Sequence, residues 1–304
     1  MNKVTRLVAC IMLGATLLLG VPVATAGDLG YPVPGAGECP STVIVAARGN
    51  DSKDMYTPTR YGAQSDFVSN GREGLNIRSF LHHAEARHQA THGDSLLKNT
   101  YVLGLTEEYY PADITIPMVE GSDDIISLIP QLGGLSSSIP GSLKNSLDVG
   151  VPGARTAITA YETETGCTPQ YILIGYSLGA TILMPQEAWL AEEGRLAGTL
   201  YFGSVHQAPR DPAVIGAVNS PGGLLGWLPE NSLSTAATPN RILYCIPDDI
   251  ACDPTPAAVR RAMAETEDSP HTRYFLDPDA EAHSGEVADR FSAWINRTRS
   301  HLVR

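Results

Sequence analysis

Five short runs of apolar and β-branched residues punctuate the chain: Thr42 to Ala46, Tyr101 to Leu105, Tyr171 to Gly175, Thr199 to Phe202 and Arg241 to Ile246. Each is apolar at successive positions instead of at every second one, the pattern of strands buried on both faces. Between them, helical spacing of apolar residues runs through Glu73 to Ala90, Gly153 to Thr165, Gly179 to Glu193, Pro256 to Glu267 and Glu286 to Leu302. Strands alternating with helices predict an α/β fold, doubly wound, with a mainly parallel five-stranded sheet and helices on both faces.

Two regions break that rhythm and read as insertions, near residues 111–147 and 212–236. Within the first, Ile125 to Pro140 sets Ile125, Ile126, Leu128, Ile129, Leu132, Leu135 and Ile139 among glycines, serines and prolines. Within the second, Pro221 to Pro229 gathers Leu224, Leu225, Trp227 and Leu228. Apolar side chains on Gly-rich connections either pack on the body of the domain or cover an apolar site. Both readings stand at the level of sequence: long connections packed down, or a rim over a pocket for an acyl chain.

The first 26 residues have the form of a secretory leader. Lys3 and Arg6 precede the apolar segment Leu7 to Gly20, and Ala24-Thr25-Ala26 supplies a small-residue cleavage site. The apolar core is short for a membrane span. Cys10 lies before that core instead of after it, which argues against lipid attachment there. Residues 27–304 then form one domain, long enough for a well-buried core. A formal charge of −12 argues against nucleic acid or an anionic membrane surface as partner, since both attract basic patches.

Removing the leader leaves Cys39, Cys167, Cys245 and Cys252, an even number in an exported chain and the pattern of two disulfides. Four cysteines allow three pairings. A clip between Cys245 and Cys252 would leave Cys39 and Cys167 to close a long loop, worth roughly 4 to 5 kcal/mol in the chain-entropy model. No further cysteine or histidine stands at ligand spacing beside the close pair, so zinc is not implied.

The chemistry concentrates at Gly175-Tyr176-Ser177-Leu178-Gly179, directly after the run Tyr171 to Ile174 and ahead of Ala180 to Met184. A serine that attacks a carbonyl must project from a very tight strand-to-helix turn, and glycines two positions before and after it make room for that elbow. A serine hydroxyl needs a base, and the base an orienting carboxylate. In the order serine, acid, histidine, the acid falls in the loop after Arg241 to Ile246, at Asp249 or Asp248. Of the later histidines, His206 precedes the acid and His301 sits in the last helix. His283 lies in the loop just before that helix, from which an imidazole can reach back over the strand ends. His271, in Ser269-Pro270-His271, is the second candidate.

These residues resemble the cutinase family. Cys245-Ile246-Pro247-Asp248-Asp249-Ile250-Ala251-Cys252 is similar to its disulfide-clipped loop, in which the aspartate stands four positions after the first cysteine and three before the second. That register implies Asp249. Cys39 and Cys167 match the family's other disulfide, and Ala47-Arg48-Gly49-Asn50 is similar to its oxyanion loop. The resemblance runs from Cys39 to the last helix and implies a cutinase-like α/β-hydrolase, larger than the minimal fungal enzymes. It implies Ser177 as nucleophile, His283 as general base and then acid, Asp249 as the group that fixes the imidazole, and the Leu178 and Asn50 backbone N–H groups as oxyanion donors. Leu178 stands where cutinases often carry glutamine, and Asn50 where serine or threonine is usual.

The function implied is a secreted serine esterase or lipase acting on carboxylic esters of acyl lipids through an acyl-enzyme, with no cofactor and no metal. Larger exported members of the family are associated with envelope lipids. An acetyl carbohydrate esterase, an envelope-lipid thioesterase or acyl transferase, and a catalytically silent envelope-binding protein are the alternatives on the same scaffold.

Overall fold

The computed structural model describes residues 31–50, 56–113, 141–226, 238–263 and 269–301. The leader, Cys10 and the stretch Ile125 to Pro140 therefore lie outside the described residues, as do Trp227, Leu228 and Pro229.

The chain enters the sheet through β1 (Thr42–Ala47), crosses by α1 (Leu75–His92) to β2 (Thr100–Gly104), and returns through the long α2 (Gly141–Thr165) to β3 (Gln170–Tyr176). Two short helices, α3 (Leu178–Leu183) and α4 (Glu187–Glu192), flank a single 3₁₀ turn and lead into β4 (Leu196–Phe202). Then follow β5 (Val214–Gly216), β6 (Arg241–Cys245), α5 (Pro256–Met263) and α6 (Ser284–His301). Among the described residues the strands form one six-stranded sheet in the order β2-β1-β3-β4-β6-β5, and all of its pairings are parallel.

All five expected strands are present. The difference from the expected sheet is β5, an edge strand of three residues in the stretch 212–236 that the sequence reads as an insertion, too short to announce itself by pattern. The expected helix from Gly179 to Glu193 is broken at Met184–Gln186, where Pro185 withholds an N–H from the α-helical ladder. The helix expected from Gly153 begins instead at Gly141 and carries Pro152 in its interior.

The alternating faces of β1 show why the fold has two cores. Ile44 and Ala46 point to the side covered by α1 and α6, where they join Phe80, Leu81, Phe202, Tyr274, Phe275, Phe291 and Trp294. Val43, Val45 and Ala47 point to the other side, with Ala154, Ile158 and Tyr161 of α2 and Ile182 and Leu183 of α3. From β1 the chain first moves outward to β2 and then back across β1 to β3. In an open parallel sheet that reversal leaves a crevice at the carboxyl ends of the two strands, the usual place for a ligand.

Both cysteine pairs are bonded, Cys39 to Cys167 across 128 positions and Cys245 to Cys252 across seven. Residues 221–226 are held to the body by main-chain bonds. The N–H groups of Gly223, Leu224 and Leu225 donate to the carbonyls of Gln207, Ala251 and Val205. This part of the apolar stretch follows the packed-down reading. No helix among the described residues is long and apolar enough to cross a membrane.

Candidate active site

Ser177 stands at the crevice between β1 and β3, on the turn between β3 and α3. Its backbone lies at φ 54°, ψ −120°, a conformation costly for a residue with a side chain. A Cβ at Gly179 would fall 1.9 Å from the carbonyl oxygen of Ala47, and one at Gly175 2.6 Å from the nitrogen of Ala180. The two glycines therefore let the turn close against the end of β1. The Ser177 N–H donates to the Phe202 carbonyl at 2.9 Å, which ties the turn to the end of β4.

Asp249 is fully buried in the clip closed by Cys245 and Cys252. Its Oδ1 accepts the Ala251 N–H at 2.8 Å and its Oδ2 accepts the Tyr274 hydroxyl at 2.6 Å. Asp248, the other sequence candidate, turns away. It adopts φ 64°, and its Oδ1 accepts the Thr255 hydroxyl at 2.6 Å.

The histidine that meets this carboxylate is His271. Its Nδ1 lies 2.8 Å from Asp249 Oδ1 and 3.0 Å from Oδ2, and its Nε2 lies 2.9 Å from Ser177 Oγ. An ionised carboxylate only accepts, so Nδ1 carries the proton and Nε2 receives the serine hydroxyl's hydrogen bond. His283 is elsewhere, which corrects the expectation from sequence. It stands one residue before α6, with its side chain 44% exposed and its Nδ1 3.6 Å from Glu286 Oε2. Tyr274 and Phe275 explain the difference. Both are buried among the aromatics of the α1 and α6 core, so the chain is pinned down directly after the His271 turn, and it returns to the surface at Leu276, well before His283.

Side chains from distant elements hold the His271 loop over the serine. Tyr176 Oη donates to the His271 carbonyl at 2.6 Å, and Asn76 Nδ2 donates to the carbonyls of Thr272 and Tyr274 at 3.2 and 2.9 Å. Glu281 closes the far end of the loop, accepting the Tyr244 hydroxyl at 2.9 Å and the Phe275 N–H. Burial raises the Glu281 carboxyl to about 6. Burial first, and then the Asp249 charge, push the Tyr274 phenol well above its ordinary value, so it remains a donor.

Gly203, directly after β4, makes room for the acid and the histidine. At φ 54° its missing Cβ would sit 2.8 Å from Asp249 Oδ2 and 3.0 Å from His271 Nδ1. Nothing in the sequence singled out Gly203, Tyr176, Asn76 or Tyr274. Their roles are tertiary, set by contacts between distant segments.

A cavity of about 400 Å³ opens at Ser177. Asn50 and Arg48 line it from the loop after β1, Tyr56 and Asn76 from the side, and Leu75 and Leu276 at apolar positions. Gly49 lies against the Tyr176 ring, where a Cβ would be 2.8 Å from the nearest ring carbons and 3.4 Å from the Ser177 Cβ. Arg48 anchors this loop from below. It is buried, donates from Nη1 to the Leu105 carbonyl at 2.7 Å, and its own carbonyl accepts the Tyr110 hydroxyl at 3.0 Å. Leu178 opens α3, so its N–H is among those that have no partner inside the helix. Among the described residues, no three His, Cys, Asp or Glu side chains gather as metal ligands.

Solved structures similar to this chain are acetyl xylan esterases and cutinase-like proteins. An acetyl xylan esterase in an iodinated complex is 12% identical, aligned over 84% of this chain and 99% of its own, with a TM-score of 0.47. A cutinase-like protein from Cryptococcus sp. is 17% identical over 86% of this chain and 97% of its own, at a TM-score of 0.43. A Trichoderma reesei cutinase in complex with a phosphonate inhibitor is 15% identical over 86% and 77%, at 0.39. No protein-family model and no curated protein matches the sequence. The α/β fold stands on its own parallel strand order.

Proposed function

We propose that the chain is a secreted serine esterase that hydrolyses carboxylic esters of acyl lipids through Ser177, His271 and Asp249. The observation that carries this reading is the unbroken line of hydrogen bonds from Ser177 Oγ through His271 to a buried carboxylate. In that line His271 Nε2 takes the serine proton as Oγ adds to the ester carbonyl, and Asp249 holds the Nδ1 proton and balances the imidazolium. The oxyanion forms toward the Leu178 and Asn50 N–H groups, where charge that exists only in the intermediate is stabilised. His271 then protonates the leaving alcohol, and water repeats the cycle on the acyl-enzyme. No metal or cofactor takes part in these steps.

Leu75 and Leu276 support an acyl substrate, since they give an apolar chain somewhere to lie beside the serine. Leu276 is 47% exposed, and only it and Val218 are strongly exposed large apolar residues among those described. Two disulfides belong with an oxidising compartment, in keeping with the leader read in the sequence. Cell-envelope lipids are among the esters such an exported enzyme would meet.

The test is the initial rate on p-nitrophenyl esters from acetyl to palmitoyl, measured beside Ser177→Ala. Turnover that disappears in the variant is expected, with an optimum above acetyl. Turnover that persists in Ser177→Ala would remove the mechanism, and an optimum at acetyl would redirect the substrate to acetylated carbohydrate.

A further inference from the structure

Tyr274 has no part in the steps above, yet its hydroxyl ends on the acid. Its side chain is fully buried between β6 and the β3 end, with the ring edge-on to Tyr244 at 5.4 Å and stacked on Phe202 at 6.1 Å. The hydroxyl accepts the Ile246 N–H at 3.1 Å, which orients it, and donates to Asp249 Oδ2 at 2.6 Å. Asp249 Oδ2 is one of the two oxygens facing His271 Nδ1. A neutral donor on that oxygen withdraws charge from it, and a carboxylate so engaged stabilises a facing imidazolium less than a bare one does.

We infer that Tyr274 is a positioning residue that sets the basicity of His271 by sharing the Asp249 carboxylate with it. This inference rests on the proposed triad. It adds that the pH at which His271 takes its second proton is governed from 2.6 Å behind the acid, by a group that never touches substrate.

The other described groups near the pair have partners of their own. From the elbow, Tyr176 binds the His271 carbonyl and Ser177 binds Nε2. From the clip, Asp248 is engaged by Thr255 and stands 3.6 Å from Arg261, while Asp253 accepts the Asp248 N–H. Within the histidine loop, Glu281 is bound by Tyr244 and Phe275, and Arg273 acts on Glu281. Arg48 lies across the cavity, held by Leu105 and Glu107. Among the described residues, Tyr274 and the Ala251 N–H are the donors that reach the Asp249 carboxylate from outside the serine–histidine line.

The experiment follows the His271 imidazole by NMR against pH in the whole protein, assigned by loss of its signals in His271→Gln. Tyr274→Phe is expected to raise the midpoint by about 0.5 to 1 pH unit. Replacing Tyr274 with 3-fluorotyrosine, a stronger donor of nearly the same size, moves it down. Tyr244→Phe is the control. It also removes a buried hydroxyl of this aromatic cluster, but one bonded to Glu281, and it leaves the midpoint in place. The acid limb of kcat/KM follows the same displacement, so rates well below the midpoint fall about tenfold for each pH by which the midpoint rises. A midpoint that stays or falls in Tyr274→Phe, or that moves equally in Tyr244→Phe, overturns the inference. The NMR midpoint is readable without turnover. An inactive wild type, or an active Ser177→Ala, therefore refutes the esterase reading without deciding the role of Tyr274.

Discussion

Adding one methyl group at Gly203 tests whether the acid and histidine are held as tightly as the geometry implies. In Gly203→Ala the new Cβ lies 2.8 Å from Asp249 Oδ2 and 3.0 Å from His271 Nδ1 and Cε1, whereas ordinary contact begins near 3.4 Å. Asp249 cannot simply retreat, because the Tyr274 hydroxyl already lies 2.6 Å from the same oxygen. The imidazole must yield instead, by about half an ångström. A misplacement of 1 Å can cost about 10²-fold in rate, so about a tenfold fall in kcat is expected, with KM little changed. Separately, a side chain at φ 54° destabilises the fold by about 1 to 2 kcal/mol. Gly194→Ala separates the two effects, because its φ is 67° and nothing lies within 4 Å of the added methyl. It should lose similar stability in urea unfolding and keep its kcat. Steady-state kinetics on p-nitrophenyl butyrate beside the urea curves make the comparison. A Gly203→Ala enzyme that loses stability but keeps kcat within twofold would refute the claim that this site is closely packed.

Two further perturbations read other parts of the molecule. The disulfides should separate by role: in the chain-entropy model, losing the 128-position bridge through Cys39→Ala with Cys167→Ala costs about 5 kcal/mol, against about 2.4 kcal/mol for the seven-position clip. The clip variant should nonetheless lose more kcat at a temperature where both are folded, because Asp249 lies inside it; equal kcat in the two would contradict that. Glu281, raised to about 6 by burial, binds its proton more tightly in the folded chain than in the unfolded one. Between about pH 4.5 and 6 its contribution to stability therefore falls as pH rises, by at most about 2 kcal/mol and less for its partial exposure. Chemical denaturation of Glu281→Gln should lack that part of the slope, and an unchanged slope would refute the assignment.

The sheet was legible because its strands are apolar on both faces, a pattern that depends only on burial. Strand limits read from that pattern lie within a few residues of those observed. What could not be read was whatever depends on contacts between distant segments. β5 is three residues long and exists because its N–H and C=O groups meet β6. The start of α2 at Gly141 is hidden by the glycines and by Pro152. For the positions of Ser177 and Asp249, local sequence sufficed: the glycines of the elbow and the spacing of the clip cysteines act within a few positions of each. The histidine had no such frame. His283 lies in a loop before a helix, as the chain order suggested, but the end of a helix is not near the strand ends merely because it follows them. His271 is brought to Ser177 by Tyr176, 95 positions away, while Asn76, 196 positions from Thr272, secures the next residue of its loop. Neither donor carries any mark of that task in its own neighbourhood.

The most direct test of the account is covalent labelling with a fluorophosphonate, followed by mass spectrometry of the modified peptide in the wild type, His271→Gln and His283→Gln. One label per chain on Ser177 is expected, with a labelling rate lower by about 10³-fold or more in His271→Gln and an unchanged rate in His283→Gln. Labelling that survives in His271→Gln and is lost in His283→Gln, or a label on a residue other than Ser177, would contradict it.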